Sequence, residues 1–159
     1  MVEQPPRGTL PPVRIEATIT IDRAPEQVWE FIADARNDPQ WCEKVVSIEQ
    51  VRGDGPGPDA QYRVMHAPRP GKPPVELSME AVEFHPPHRL RWREEDADAV
   101  FNVLYELEPS GSGTVLRQID EIEWKIPRPL RPIGRIMVSR DIKRQFGSLK
   151  HLLEGEPRR

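Results

Sequence analysis

An α+β fold is predicted: a seven-stranded, curled antiparallel sheet wrapped around a long C-terminal helix, with two short helices between strands one and two. Three observations predict it. Apolar and polar residues alternate without a break from Val13 to Asp22, as in a strand with one buried face. Six further strand-like segments follow two short helical ones, and short turns between consecutive strands imply antiparallel pairing. In residues 129–153, Leu130, Ile133, Met137, Ile142, Phe146, Leu149 and Leu153 fall mostly at steps of three and four, which gathers them on one helix face. Such a helix needs a large apolar surface to lie on, and the sheet is its natural partner.

Composition sets the bounds. A chain of 159 residues is expected to form one domain with a core that needs no cross-links. The expected domain runs over 13–154, with a flexible Pro-rich tail at 1–12 and a short tail at 155–159. The net charge of -3 with 31% charged residues gives a mixed surface and argues against a nucleic-acid partner. A single cysteine, Cys42, excludes an internal disulfide. The opening twelve residues carry four prolines and no apolar run, so neither a signal peptide nor a membrane span is read there, and a cytoplasmic location is expected. The 19 prolines exceed the usual ~5%, and they cluster between periodic segments, where they mark loops.

The elements follow in order. The first strand places Val13, Ile15, Ala17, Ile19 and Ile21 on one face. Pro25 suits a first helical turn and Glu26 its positive end, so a short helix is predicted over 25–35, with Val28, Phe31, Ile32 and Ala35 inward. Asp38, as cap, and Pro39 open a second helical turn carrying Trp41 and Cys42. Strands are predicted over 45–52, 60–66, 75–84, 89–95, 99–108 and 114–126. They are separated by the Gly/Pro loop 53–58, the Pro-rich loop 68–74, the His85-Pro86-Pro87-His88 turn and the Gly/Ser turn 109–113. Pro127, Pro129 and Pro132 end the sheet, and regular helix is expected from about Pro132, because a proline disfavours helical geometry in the residue before it.

Several stretches resemble the SRPBCC superfamily, the group of START lipid-transfer domains and birch-pollen-allergen-like proteins, and within it the bacterial polyketide cyclase/dehydrase branch. They are residues 19–34, Asp38-Pro39-Gln40-Trp41, residues 83–90, Leu107-Glu108-Pro109 with Gly113-Thr114, and the helix end Leu149-Lys150-His151-Leu152-Leu153-Glu154. The resemblance spans about residues 13–154 and implies the helix-grip fold. It further implies a cavity between sheet and helix that takes a lipid or polyketide-like molecule. The matching residues are turn, cap and core positions and name no chemistry.

Candidate residues come from strand faces. On the seventh strand the odd positions are the more charged, so Leu116, Gln118, Asp120, Ile122 and Trp124 are placed inward. An inward carboxylate needs a partner, water or a raised pKa. Asp120 is therefore read as a general acid or base, a ligand-hydroxyl acceptor, or half of a buried ion pair. His66 shares a face with Tyr62 and Val64, and Glu94 with Leu90 and Trp92. Asp120, His66 and Glu94 are the catalytic candidates. The aromatics Trp41, Tyr62, Trp92, Phe101 and Tyr105 are expected to meet a ligand, as are His66, Met79, Gln118 and Asp120. Ile133, Ile136 and Met137, in the Pro- and Gly-broken first half of the helix, are expected to roof the cavity and to move when ligand enters. Phe146, Leu149 and Leu153 are expected to anchor the helix, and Gly147 to mark its close approach to the sheet. Cys42 is read as a small buried hydrophobe, and His85 and His88 as surface turn residues. No metal and no organic cofactor is implied. The basic face of the helix suggests a solvated surface more than a membrane contact.

The function expected is binding of a hydrophobic or aromatic small molecule in the internal cavity. The alternatives are a polyketide cyclase, aromatase or dehydratase using acid–base residues there, and an interaction module whose pocket is vestigial.

Overall fold

A computed structural model describes residues 12–67 and 70–155. Apart from Pro12 and Gly155, both expected tails lie outside the described residues, as do positions 68 and 69. The strands are β1 (Val13–Ile21), β2 (Val45–Arg52), β3 (Gln61–His66), β4 (Val75–His85), β5 (Arg89–Glu95), β6 (Ala99–Ser110) and β7 (Gly113–Trp124). The helices are α1 (Pro25–Ile32) and α2 (Arg131–Glu154), with short 3-10 helices at Ala35–Gln40 and Arg128–Leu130. All seven strands form one antiparallel sheet in the order β1-β7-β6-β5-β4-β3-β2. This is the predicted helix-grip architecture.

Two local predictions need correcting. The first helix ends at Ile32 rather than running to residue 35, and the backbone tightens into a 3-10 helix from Ala35. Its cap is Asp34, whose side chain accepts from the Arg36 backbone N–H at 3.1 Å. Asp38 therefore lies inside that helix and is not a cap. β7 ends at Trp124, two residues short of the expected end.

Register carries the inward pattern from strand to strand. One cross-strand row runs Ile15, Asp120, Val103, Trp92 and Ala81, and the next runs Ala17, Gln118, Tyr105 and Leu90. A third places Ile122, Phe101, Glu94, Met79 and Tyr62 side by side. The opposite face is mostly polar, with Val100, Leu104 and Ile119 buried among the charged side chains. Glu83, Arg89, Glu106, Arg117 and Glu16 form a continuous chain of ion pairs across β4, β5, β6, β7 and β1. Such exposed pairs contribute about 0–1 kcal/mol each, so the chain serves solubility and register more than stability.

α2 packs on the inward face at its C-terminal half. Ile142, Phe146 and Leu149 are buried. The helix end is tied to β1, where Lys150 Nζ donates to Thr20 O at 2.6 Å and the Asp22 N–H donates to Glu154 Oε1 at 2.6 Å. The N-terminal half differs, for Leu130, Ile133, Ile136 and Met137 are all exposed. Close approach to the sheet occurs at Gly134 rather than Gly147. A Cβ at Gly134 would meet the Trp124 ring at 3.0 Å, whereas one at Gly147 would meet nothing within 4 Å.

Candidate functional site

A cavity of about 650 Å³ lies between the inward sheet face and the first half of α2. Over its first half α2 meets the sheet edge at Gly134 against Trp124 and through Arg131, which donates to Trp124 O and Ile126 O, while the buried packing of Ile142, Phe146 and Leu149 follows later in the helix. Val64, Leu77, Met79 and Val103 supply its aliphatic wall, and Trp41, Trp92, Phe101, Tyr105 and Trp124 its rings. Trp41 meets Tyr105 edge-on, with ring centroids 6.4 Å apart.

Most residues expected at the cavity line it: Trp41, His66, Met79, Trp92, Phe101, Tyr105, Gln118, Asp120, Glu94 and Met137. Tyr62 and Ile133 are not among the lining residues. Tyr62 is 1% exposed and stacks its ring edge on Trp92 at 5.8 Å, so it belongs to the packing behind the wall. Ile133 and Ile136, expected in the roof, are 58% and 53% exposed and face solvent. The helix instead presents Gly134, Met137, Val138, Asp141, Ile142 and Gln145 to the cavity. This stripe is rotated from the expected one because Gly134 lets the helix lie against Trp124.

Polar groups converge on this apolar space. On β7, Gln118 Nε2 donates to Asp120 Oδ1 at 2.9 Å, while Gln118 Oε1 is buried without a hydrogen-bond partner. Burial raises the Asp120 carboxyl to about 6, and the Gln118 hydrogen bond pulls it down in part. Burial raises Glu94 to about 8, and the negative charges of Asp120 and then Asp96 add to the effect. Glu94 stands on β5 and Asp120 on β7, with β6 between them. The Asp120 charge nevertheless reaches Glu94.

Asp38, expected as a cap, is the site residue that sequence reasoning misses. It lines the cavity, and burial first, then the charge of Glu94, pushes its carboxyl well above the usual range. The nearby Trp41 indole N–H offsets this in part, although Trp41 Nε1 makes no hydrogen bond of normal geometry. A signal for it exists in the sequence, since Asp34 is available as the cap one turn earlier. Cys42 also lines the cavity, and burial pushes its thiol up, away from nucleophilic chemistry. Burial and then the charge of Lys44 lower His66, which keeps the imidazole neutral at pH 7. Lys44 is held by Asp141 Oδ2 at 2.5 Å, pinning the loop before β2 to the middle of α2.

The wall can therefore bind an apolar body and present protonated or ionised carboxyls to it. Among the described residues, no group of three or more His, Cys, Asp or Glu side chains could hold a metal ion. No helix among them is long and apolar enough to cross a membrane.

Comparison with known proteins agrees with this geometry. Residues 12–154 match the family described as polyketide cyclase / dehydrase and lipid transport. No curated protein matches significantly. Among solved structures, TTHA0849 from Thermus thermophilus superposes with a TM-score of 0.76 at 20% identity, over 91% of this chain and 100% of that one. A START superfamily protein from Mycobacterium smegmatis gives 0.75 at 14% identity, over 89% and 97%. The ZhuI aromatase/cyclase from Streptomyces sp. R1128 gives 0.76 at 12% identity, over 89% and 93%. At these identities the structural likeness speaks for the fold.

Proposed function

Because the chain belongs to the polyketide cyclase / dehydrase and lipid transport family, we propose that it binds a hydrophobic or aromatic, lipid- or polyketide-like molecule in the cavity between sheet and α2. The single observation that carries this reading is a cavity of about 650 Å³ walled by aromatic and aliphatic side chains. That lies within the ~300–1,000 Å³ of small-molecule sites. Held dry, a void of that size would cost about 16 kcal/mol at ~24 cal/mol per Å³. A whole domain has roughly 5–15 kcal/mol of stability. Solvent or ligand therefore fills it in solution, and an open cavity argues against the vestigial-pocket alternative.

Titration with an environment-sensitive apolar dye tests the reading, alongside native mass spectrometry of what co-purifies. Saturable binding is expected, lost in Val103→Trp, which fills the cavity from β6, with the far-ultraviolet circular dichroism unchanged. Absence of a saturable site in the wild type would overturn it.

One observation favours a second reading, that the cavity also catalyses cyclisation or dehydration. Two carboxyls in one apolar site have pKa values near 8 and near 6, so at neutral pH one serves as acid and the other as base. On a β-polyketone thioester, Glu94→Gln and Asp120→Asn should each slow turnover at least ~100-fold, the scale of general acid–base catalysis. Unchanged turnover in both variants would leave a binding protein.

A further inference from the structure

We propose that the molecule this cavity is built for carries a protonated amine on an apolar body, and that the cavity discriminates against carboxylates. The proposal rests on the binding reading above and adds the ligand's polar end.

It begins with the sign of the wall. Asp38 faces the cavity from the 3-10 helix, Glu94 from β5 and Asp120 from β7. Glu76, Asp96 and Asp98 continue the acidic lining on β4 and the β5–β6 connection. Among the described lining residues only Lys44 and His66 are basic. Lys44 is already paired with Asp141 at 2.5 Å, and burial keeps His66 neutral. Cys42 and Tyr105, the remaining titratable groups on the wall, are both held protonated by burial.

An independent sign comes from Gln118. It is 3% exposed, it lines the cavity, and its Oε1 accepts no hydrogen bond. A buried acceptor without a donor is unfavourable. A ligand N–H supplies that donor, and a carboxylate cannot. An ammonium beside Asp120 would also be compensated, whereas a carboxylate there would meet a like charge with no free cation. Trp41 and Trp92 are on the same wall, and indole is the ring system that best attracts a cation. The acids are too dispersed to hold a metal ion, which needs several ligands at one point. An ammonium needs one or two.

Binding should move a proton. In the free protein Glu94, at about 8, is mostly protonated at pH 7. An ammonium nearby favours its ionised form, so the Glu94 O–H proton leaves to solvent while the ammonium keeps its own.

Three probes with the same three-ring body test this by fluorescence titration at pH 7: anthracenylmethylamine, anthracenemethanol and anthracenecarboxylic acid. The amine is expected to bind at least about tenfold tighter than the alcohol, and the carboxylate weakest. The double variant Glu94→Gln with Asp120→Asn should shrink the amine-to-alcohol ratio to within about twofold. Glu123→Gln, exposed and off the wall, should keep it. Calorimetry of the wild type in phosphate and in Tris should report proton release on amine binding, which decides the matter even if the double variant fails to fold. Equal amine and alcohol affinities, a preference for the carboxylate, or no proton release overturns the amine inference and leaves the binding reading standing. No saturable binding of any probe overturns both.

Discussion

Gln118 and Asp120 sit two positions apart on β7, and the amide of one donates to the carboxyl of the other at 2.9 Å. A neutral amide orients the acid without compensating its charge. The consequence is a site whose carboxyls stay partly protonated near neutrality, because apolar surroundings stand where a counter-ion would otherwise be.

Stability should therefore fall as pH rises. Glu94 binds its proton more tightly folded, at about 8, than unfolded, near 4.5. The folded state holds more protons across that window, so unfolding free energy decreases with pH. His66, shifted down, is neutral in both states above about pH 7.5 and changes little there. Between about pH 6.5 and 8.5 Glu94 by itself should account for a loss of roughly 2 kcal/mol, to which Asp38, also raised by burial, adds with the same sign. Urea unfolding at the two pH values measures it, and Glu94→Gln should flatten the slope. A stability that rises over this range would contradict the assignment.

The two halves of α2 should answer differently to truncation. Leu149→Ala removes a side chain that is 0% exposed and should cost roughly 2–5 kcal/mol. Ile133→Ala alters an exposed residue and should fall within about 0.5 kcal/mol of wild type. Equal losses at both positions would mean that the first half is an anchor as well.

The same asymmetry should appear in motion. Amide hydrogens over 131–138 should exchange at least about tenfold faster than those over 142–153 in the unliganded protein, with the gap narrowing when a cavity ligand is added. Leu130, Ile133, Ile136 and Met137 contribute little buried surface to hold the first segment, while Ile142, Phe146 and Leu149 hold the second. Uniform protection along the helix would rule out the first half as a gate.

Two glycines in that helix should behave oppositely. Gly147→Ala adds a methyl to open space and should stabilise by about 0.5–1 kcal/mol through helix propensity. Gly134→Ala has the same propensity gain but must push on the Trp124 ring, 3.0 Å away, and should gain nothing or lose. Chemical denaturation of both variants is sufficient. A matching gain at Gly134 would show that Trp124 yields freely.

These elements also show how much is legible in the chain alone. Strict alternation in β1 and the charge asymmetry of β7 point to the inward faces, because a strand's period of two leaves only one alternative face. Ile142, Phe146 and Leu149 are readable as core for the analogous helical reason. Ile133 is not, since spacing assigns a stripe without knowing where the sheet beneath it ends. Gly134, which sets the helix against Trp124, is a contact between two distant residues that no local pattern encodes. Asp38 reads as a cap because a cap and a buried cavity acid look alike in sequence. Tyr62 has the right face and the wrong depth, as it lies behind Trp92.

The wall that contains Glu94 and Asp120 draws on residues from Ile32 to Gln145. It spans α1, six strands and α2, so no fragment of the chain carries the site alone. Occupancy is thereby linked to global unfolding. A ligand at about a hundred times its Kd should raise the unfolding free energy by about 2.7 kcal/mol. At roughly 2–4 °C per kcal/mol for a chain of this size, the melting temperature should rise by roughly 5–10 °C. A thermal scan against a compound library can thus find the ligand with no assay for its chemistry.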